Sequence, residues 1–256
     1  MTTVDGRELV EVTRDEHVLV IAMRREAKRN AIDRALADQL DVAFNELEDD
    51  PDVWVGVLTG TPAVFSAGSD LKARNDYVTE RGGEYGIIRR RRRKPLIAAV
   101  EGPAFGGGLE IALACDLVVA STTARFGLPE VRRGVLPGCA ALFRAPRAFP
   151  LNLARELAIT GDPIDATRAH AAGFVNILTE PGEAVTAAVE LAQRICLNSP
   201  LAVQAALVAV NDVLADGDDR GWAATTEALD SIRETDDVKE GIRAFFEKRP
   251  PVWTGR

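Results

Sequence analysis

Short apolar runs separated by polar turns occupy the first part of the chain and predict strands. Residues 9–13 and 18–23 are apolar and rich in β-branched side chains, and they flank a polar turn. Residues 53–59 form a nearly continuous apolar run, which is typical of a strand buried on both faces. Between these runs, apolar residues recur at helical spacing after Asp33, which predicts a capped helix to about Glu48.

The same pattern divides the chain into two parts. Predicted strands and helices alternate up to about residue 195, whereas from residue 200 onward the pattern indicates helices alone. We therefore expect an α/β core over residues 1–196 and an all-helical region over residues 197–256. A helical region of this kind often buries its apolar faces against a neighbouring subunit.

Composition narrows the classes of function. The 256 residues are 46% hydrophobic and 27% charged, as in an ordinary globular protein, and the net charge of −8 argues against a general nucleic-acid binder. Three cysteines without a CxxC pair and only two histidines suggest neither disulfides nor a metal site. No apolar run approaches a membrane span and no signal-peptide core is present, so we expect a cytoplasmic, metal-free protein without a membrane partner.

The first candidate site is the segment EGPAFGGGLE at residues 101–110. An apolar run enters it, a helical pattern leaves it, and the glycines 106–108 lie between them. Unpaired N–H groups at the start of a helix favour negative charge, and Glu110 follows on the first turn. This arrangement predicts an anion site beside a potential acid or base.

Two further segments have candidate chemistry. FSAGSDLK at residues 65–72 follows a predicted strand, where an α/β sheet places either a tight turn or a ligand-binding turn. Glu130 lies in the small-residue segment FGLPE at residues 126–130. Between these segments, polar residues 73–86 predict a mobile lid or a poorly ordered helix, and the cations at 89–94 predict a solvated helix face or helix end.

Three segments together resemble the enoyl-CoA hydratase/isomerase family, the crotonase superfamily. They are FSAGSDLK (65–72), AAVEGPAFGGGLEIALACDLVVA (98–120) and FGLPEVRRGVLPG (126–138), and the resemblance extends to the ending AFFEKRPPVWTGR (244–256). It implies a spiral of repeated ββα units with a C-terminal helical trimerisation region, often assembled as a dimer of trimers. The expected ligand is an acyl-CoA thioester, whose CoA belongs to the substrate, and no separate cofactor is expected.

The resemblance also implies roles for individual residues. The backbone N–H groups of Ser69 and Gly107 would form an oxyanion hole for the thioester carbonyl, with serine at a position where relatives often have alanine. Glu110 and Glu130 would orient one water, Glu110 helping to deprotonate it and Glu130 supplying a proton to Cα. Because both glutamates are present, a hydratase is expected, with a carnitinyl-CoA dehydratase-like member or an isomerase as alternatives.

Contacts with the CoA and acyl portions are implied by motif position. The expected substrate contacts are Lys28, Arg29, Ala67, Asp70, Leu71 and Lys72, joined by Phe245 and Lys248 from a neighbouring subunit. The segment CAALFR at residues 139–144 replaces a Gly-Gly-Thr-Gln-Arg-Leu-like run that shapes the acyl pocket of many hydratases. The motifs therefore do not define which acyl group, or which chain length, the protein prefers.

Two competing classes remain. A catalytically idle acyl-CoA-binding protein on the same scaffold is disfavoured because both glutamates are present. RNA binding through the basic residues 89–94 is disfavoured by the net charge of −8 and by the absence of interleaved aromatic residues. We therefore expect no nucleic-acid partner.

Overall fold

The computed structural model describes residues 8–73, 76–215 and 217–255. Its strands are β1 (Val10–Asp15), β2 (Val18–Met23), β3 (Val55–Thr59), β4 (Val78–Thr79), β5 (Gly83–Glu84), β6 (Leu96–Val100), β7 (Pro103–Phe105), β8 (Leu117–Ser121), β9 (Arg125–Gly127), β10 (Ile164–Asp165) and β11 (Ile177–Thr179). Its α-helices are α1 (Arg34–Asp49), α2 (Gly107–Ala114), α3 (Ala141–Ala148), α4 (Leu151–Thr160), α5 (Ala166–Ala171), α6 (Ala184–Cys196), α7 (Pro200–Ala215), α8 (Asp218–Ile232) and α9 (Asp236–Glu247). Three short 3-10 helices span Glu26–Lys28, Leu71–Ala73 and Pro129–Arg133.

The main sheet has the strand order β1-β2-β3-β6-β8-β11, with an antiparallel first pair and parallel pairs after it. Alternate side chains of its central strands enter two different cores. On one face Val57, Ile97 and Val119 pack with α6, whereas on the other Leu58, Ala98 and Val118 belong to the larger core that includes α1. The apolar run at 53–59 is thus buried on both faces, as its composition predicts.

Two successive ββα units organise the centre of the fold. In the first unit β6 lies in the main sheet, β7 lies in a second sheet, and α2 follows. In the second unit β8 lies in the main sheet, β9 pairs in parallel with β7, and the 3-10 helix Pro129–Arg133 follows. The mixed α/β class predicted from the sequence is confirmed. Because β7 and β9 run in parallel, the segments that follow them begin at the same end of the second sheet.

The predicted helix after Asp33 is confirmed as α1. The side chain of Asp33 accepts a hydrogen bond from the N–H of Leu36 at 3.1 Å, which satisfies one of the unpaired donors at the helix start. Leu36, Leu40 and Phe44 lie on the buried face of α1. The helix therefore covers the sheet through the apolar stripe that its sequence shows.

The helical predictions for the segment before β6 are wrong. Residues 73–86 do not form a helix in their described part but contain the hairpin β4–β5, while Arg74 and Asn75 lie outside the described residues. The basic residues 89–94 are not helical either, and two of their arginines are buried in ion pairs. Arg90 contacts Asp41 at 2.6 Å and Arg92 contacts Asp116 at 2.6 Å, so these cations fix the segment to α1 and to the residue that precedes β8.

Helices α8 and α9 pack on elements that follow β9 in the chain, namely α3 and the 3-10 helix Pro129–Arg133. Phe143 of α3 contacts Trp222 of α8, with ring centroids 5.3 Å apart, and α9 packs against the 3-10 helix Pro129–Arg133. Several large apolar side chains of this region remain exposed, among them Leu201 (76%) and Val213 (78%). Within the described ranges no single helix is both long and apolar enough to cross a membrane, whereas α6 and α7 together, bent by 107°, meet that length and composition test.

Candidate active site

The two glutamates singled out in the sequence follow equivalent strands. Glu110 lies on the first turn of α2 after β7, and Glu130 lies on the 3-10 helix after β9. Both residues contact Gly106, whose φ of +55° suits glycine, and the N–H of Glu110 donates to the Gly106 carbonyl at 3.0 Å. A Cβ atom at Gly106 would lie 2.8 Å from Oε1 of Glu130, so the second carboxylate rests directly on the turn that begins the helix of the first.

Glu110 is buried and holds the start of another helix. Its Oε1 accepts hydrogen bonds from the N–H groups of Cys139 at 2.7 Å and Ala141 at 3.2 Å. The cap residue of α3, Ala140, supplies no side-chain cap, so the carboxylate satisfies these donors instead. Burial raises the pKa of Glu110 to about 7, although the two backbone N–H groups favour the charged form.

Glu130 has a different environment. Its Oε2 is buried and has no hydrogen-bond partner within the described parts of the chain. Burial, and after it the charge of Glu110, raises the pKa of Glu130 to about 8. Glu130, whose oxygen has no partner, therefore holds a proton more readily than Glu110, and the two carboxyl groups titrate as a coupled pair.

The segment FSAGSDLK packs backbone to backbone on the glycine turn. Gly68 has a φ of +85°, and a Cβ atom there would lie 2.7 Å from the nitrogen of Gly107. The N–H of Phe105 donates to the carbonyl of Ser66 at 3.0 Å, which ties the two segments together. Among the described residues, neither Ser69 nor Gly107 donates its N–H to a backbone carbonyl. The two donors named from the motifs thus lie on adjacent segments, which is the arrangement that an oxyanion hole requires.

A cluster of polar side chains next to these donors has no counterpart in the sequence predictions. The hydroxyl of Tyr85 lies 2.7 Å from Oγ of Ser69 and accepts a hydrogen bond from Sγ of Cys139 at 3.3 Å. Tyr77 interacts with the same two side chains, and a Cβ atom at Gly107 would lie 2.6 Å from the Tyr85 hydroxyl. One feature of the sequence indicates this cluster: the chain has only two tyrosines, and both lie in the segment at residues 73–86.

Part of the expected CoA contact set lines a cavity. A space of about 250 Å³ is lined by Glu26, Arg29, Ala63, Val64, Ala67, Pro103 and Phe105. Arg29 and Ala67 belong to the expected set, and Lys28 is exposed on the neighbouring 3-10 helix. Two of the lining residues, Ala67 and Phe105, each precede a proposed oxyanion donor by two positions in the chain.

The remaining expected contacts lie elsewhere. Leu71 and Lys72 are exposed on the 3-10 helix that follows Asp70, whose own carboxylate accepts a hydrogen bond from Arg25 at 2.9 Å. Phe245 and Lys248 are exposed at the end of α9 and do not line the cavity. Within one chain, α9 packs against the 3-10 helix that carries Glu130.

The donor set offers no evident place for a metal ion. In the described ranges, no group of three or more His, Cys, Asp or Glu side chains is arranged to hold one. What the geometry offers is the buried carboxyl of Glu110 and the half-buried Glu130, both with raised pKa values, on segments next to the N–H groups of Ser69 and Gly107. Such a site can move protons while stabilising a developing negative charge.

Comparisons with known proteins agree on one family. The family model described as enoyl-CoA hydratase/isomerase matches residues 13–256. The chain is 37% identical to enoyl-CoA hydratase EchA19 of Mycobacterium tuberculosis, with all of both chains covered. It is 38% identical to 2,3-dehydroadipyl-CoA hydratase of Escherichia coli, over 96% of this chain and 98% of that one. Among solved structures, a carnitinyl-CoA hydratase from Mycobacterium avium is 38% identical, covers 98% of this chain and 100% of its own, and superposes with a TM-score of 0.92.

Proposed function

Because the chain belongs to the enoyl-CoA hydratase/isomerase family, we propose that it is an enoyl-CoA hydratase that adds water reversibly to the double bond of a trans-2-enoyl-CoA thioester. The observation that carries the proposal is a pair of carboxyl groups, Glu110 and Glu130, close enough for the charge of one to raise the pKa of the other. Glu130 lies against Gly106, at the start of the helix that carries Glu110. Glu110 and Glu130 both have raised pKa values, so one can accept a proton while the other donates one. Hydration of a conjugated double bond needs both transfers.

The backbone donors supply the electrostatic part of the mechanism. In our proposal the thioester oxygen accepts hydrogen bonds from the N–H groups of Ser69 and Gly107. Attack of water at Cβ moves negative charge onto that oxygen, so two aimed donors and the start of α2 stabilise the enolate more than the substrate. Loss of one such donor typically costs about 3 kcal/mol of barrier.

The carboxyl groups take opposite roles in this scheme. Glu110 is held by two backbone N–H groups that favour its charged form, which suits the base that takes a proton from the attacking water. Glu130 has an unpartnered buried oxygen and lies next to the charge of Glu110, which suits the acid that protonates Cα. The substrate brings the only cofactor-like group, its CoA, and the cavity at Arg29 and Ala67 would receive part of it.

A trimer, or a dimer of trimers, is the assembly that we propose. Its support is the row of exposed apolar side chains on and beside α7: Leu197 (87%), Leu201 (76%), Val210 (61%) and Val213 (78%). A patch of this kind is typical of a surface that is covered in an assembly. Sedimentation equilibrium should give three or six times the chain mass, and a monomer would contradict the proposal.

A carnitinyl-CoA dehydratase-like activity is the second candidate. Its support is the TM-score of 0.92 with the carnitinyl-CoA hydratase from Mycobacterium avium, together with the polar side chains beside Glu110. The reaction type is the same and only the acyl group differs. The choice between the two candidates is therefore a choice of substrate.

One experiment separates these candidates. The purified protein is given crotonyl-CoA, a longer 2-enoyl-CoA and crotonobetainyl-CoA in parallel, and loss of the conjugated enoyl absorbance is followed. Mass spectrometry of each product should show the gain of one water. A product of unchanged mass with a displaced double bond would indicate an isomerase, and binding without turnover of any thioester would indicate an idle acyl-CoA-binding protein.

A further inference from the structure

One hydroxyl group contacts both halves of the proposed active site. Ser69 carries one of the two backbone donors proposed for the thioester oxygen, and Cys139 carries the N–H that binds Glu110 at 2.7 Å. The side chains of both residues hydrogen-bond to the hydroxyl of Tyr85, at 2.7 Å and 3.3 Å. A single atom therefore connects the segment of the oxyanion donor with the segment that holds the base.

The surroundings of Tyr85 keep that hydroxyl in place. The side chain is among the largest fully buried ones, and its ring packs on that of Tyr77 with centroids 4.7 Å apart. The backbone at Tyr85 has a φ of +58°, a conformation that typically costs a non-glycine residue about 1–3 kcal/mol and persists only where neighbours enforce it. Its N–H donates to the carbonyl of Tyr77 at 2.9 Å, which closes the hairpin.

The Tyr85 hydroxyl stays protonated, so it can keep its hydrogen bonds to both Ser69 and Cys139. Burial raises the pKa of Tyr85 well above its ordinary value, so the group stays an O–H that both donates and accepts. Tyr77 interacts with the same partners, Ser69 and Cys139, so the four side chains form a closed polar ring. Because the groups satisfy one another, the ring is stable in a buried position.

We propose that Tyr85 is a positioning residue for the hydration reaction: its hydroxyl fixes the side chains of Ser69 and Cys139 and so sets the oxyanion donor and the carboxylate of Glu110 at a constant separation. This inference rests on the proposed function. The thioester oxygen and the attacking water must be placed at the same time, and a misplacement of about 1 Å can cost a hundredfold in rate. Serine at position 69, where relatives often have alanine, is the feature that makes the connection available.

The test begins with Tyr85→Phe, which removes the hydroxyl and keeps the ring. We expect kcat to fall by about ten- to a hundredfold while KM changes by less than about threefold, because the CoA cavity at Arg29 is untouched. Ser69→Ala removes one bond of the same connection and keeps the backbone N–H. In a double-mutant cycle, Tyr85→Phe in the Ser69→Ala background should therefore cost clearly less than it costs alone.

A measurement without turnover complements the cycle. Acetoacetyl-CoA can bind as its enolate, which absorbs in the near ultraviolet and carries charge on the thioester and ketone oxygens. Wild-type protein should hold a larger enolate fraction than Tyr85→Phe at the same pH and saturation. Equal fractions, together with an unchanged kcat or a fully additive cycle, would overturn the positioning role.

The outcomes separate the two proposals. If the wild-type protein hydrates none of the three enoyl-CoA substrates, the proposed function fails. If it hydrates one of them and Tyr85→Phe does so equally well, only the positioning role fails. Cys139→Ala, which keeps the N–H that binds Glu110 but removes the thiol, tests the other half of the connection should Tyr85→Phe not fold.

Discussion

Two buried glutamates of one segment provide a matched pair for testing the catalytic assignment. Glu101 precedes the glycine turn and Glu110 follows it. Oε1 of Glu101 accepts hydrogen bonds from the N–H groups of Gly182 at 3.0 Å and Ala184 at 3.1 Å, at the start of α6. Oε1 of Glu110 does the same at the start of α3. The two carboxylates thus do equivalent structural work, but only Glu110 lies beside Glu130.

The perturbation is Glu→Gln at each position in turn. The amide oxygen can still accept both backbone hydrogen bonds, so the fold is kept and only the charge-assisted part of each bond is lost. Hydrogen bonds to charged groups contribute about 1.5–3 kcal/mol and neutral ones about 1 kcal/mol, and removing a buried charge offsets part of the loss. We expect the free energy of unfolding to fall by no more than about 1–2 kcal/mol, which lowers Tm by a few degrees in either variant.

Activity should separate the two variants. General base catalysis typically contributes about 10²- to 10⁴-fold, so Glu110→Gln should lose about 3–5 kcal/mol of transition-state stabilisation. Glu101→Gln should keep kcat within about threefold of the wild-type value, because its carboxylate is on the α6 side of the sheet. The assay is enoyl-CoA hydration at saturating substrate, with Tm measured on the same preparations. Near-wild-type turnover in Glu110→Gln, or equal losses in both variants, would show that Glu110 is not the catalytic base.

Three other predictions test separate parts of the site. Glu130→Gln should stabilise the protein relative to wild type, and the difference should grow as pH rises from about 5 to 8. Because the pKa of Glu130 is raised on folding, the folded wild-type protein binds more protons than the unfolded chain in this range and loses stability as pH rises. Thermal melts of both proteins across that range measure the difference. Gly107→Ala places a methyl group 2.6 Å from a buried tyrosine hydroxyl and should lower hydration at least tenfold. Gly217→Ala should not, because its methyl group comes closest to the end of an arginine side chain, which can move. Arg29→Gln should raise KM and weaken its dependence on salt, whereas Arg91→Gln, on the exposed part of the basic segment, should leave both unchanged in a salt series.

Local patterns were sufficient for much of the fold. The strand at 53–59 and the helix after Asp33 follow from apolar spacing and a capping side chain, which act over a few neighbouring residues. The glycine turn at 106–108 is also local, since it is defined by adjacent residues and by the helix that starts there. Predictions of this kind succeed because the interactions that decide them lie within one element.

Long-range partners explain the failures. Arg90 was predicted to lie on a solvated surface, yet its partner Asp41 is 49 residues away in the sequence, and nothing in a charge run reveals such a pairing. The hairpin β4–β5 consists of two-residue strands, which are too short to show any periodicity. Its burial comes from Tyr77 and Tyr85, whose surroundings are supplied by Ser69 and Cys139 from other parts of the chain.

The difference in proton affinity between Glu110 and Glu130 also comes from long-range contacts. Glu110 and Glu130 occupy equivalent places after β7 and β9, so the repeated unit by itself would give them the same properties. The difference arises in what each repeat packs against. The carboxylate of Glu110 accepts from unpaired N–H groups at the start of α3, which stabilise its charged form. Glu130 has an oxygen without a partner and lies next to the charge of Glu110. Two like groups placed by one structural repeat thereby acquire different proton affinities, which is what an acid and a base acting on one water require.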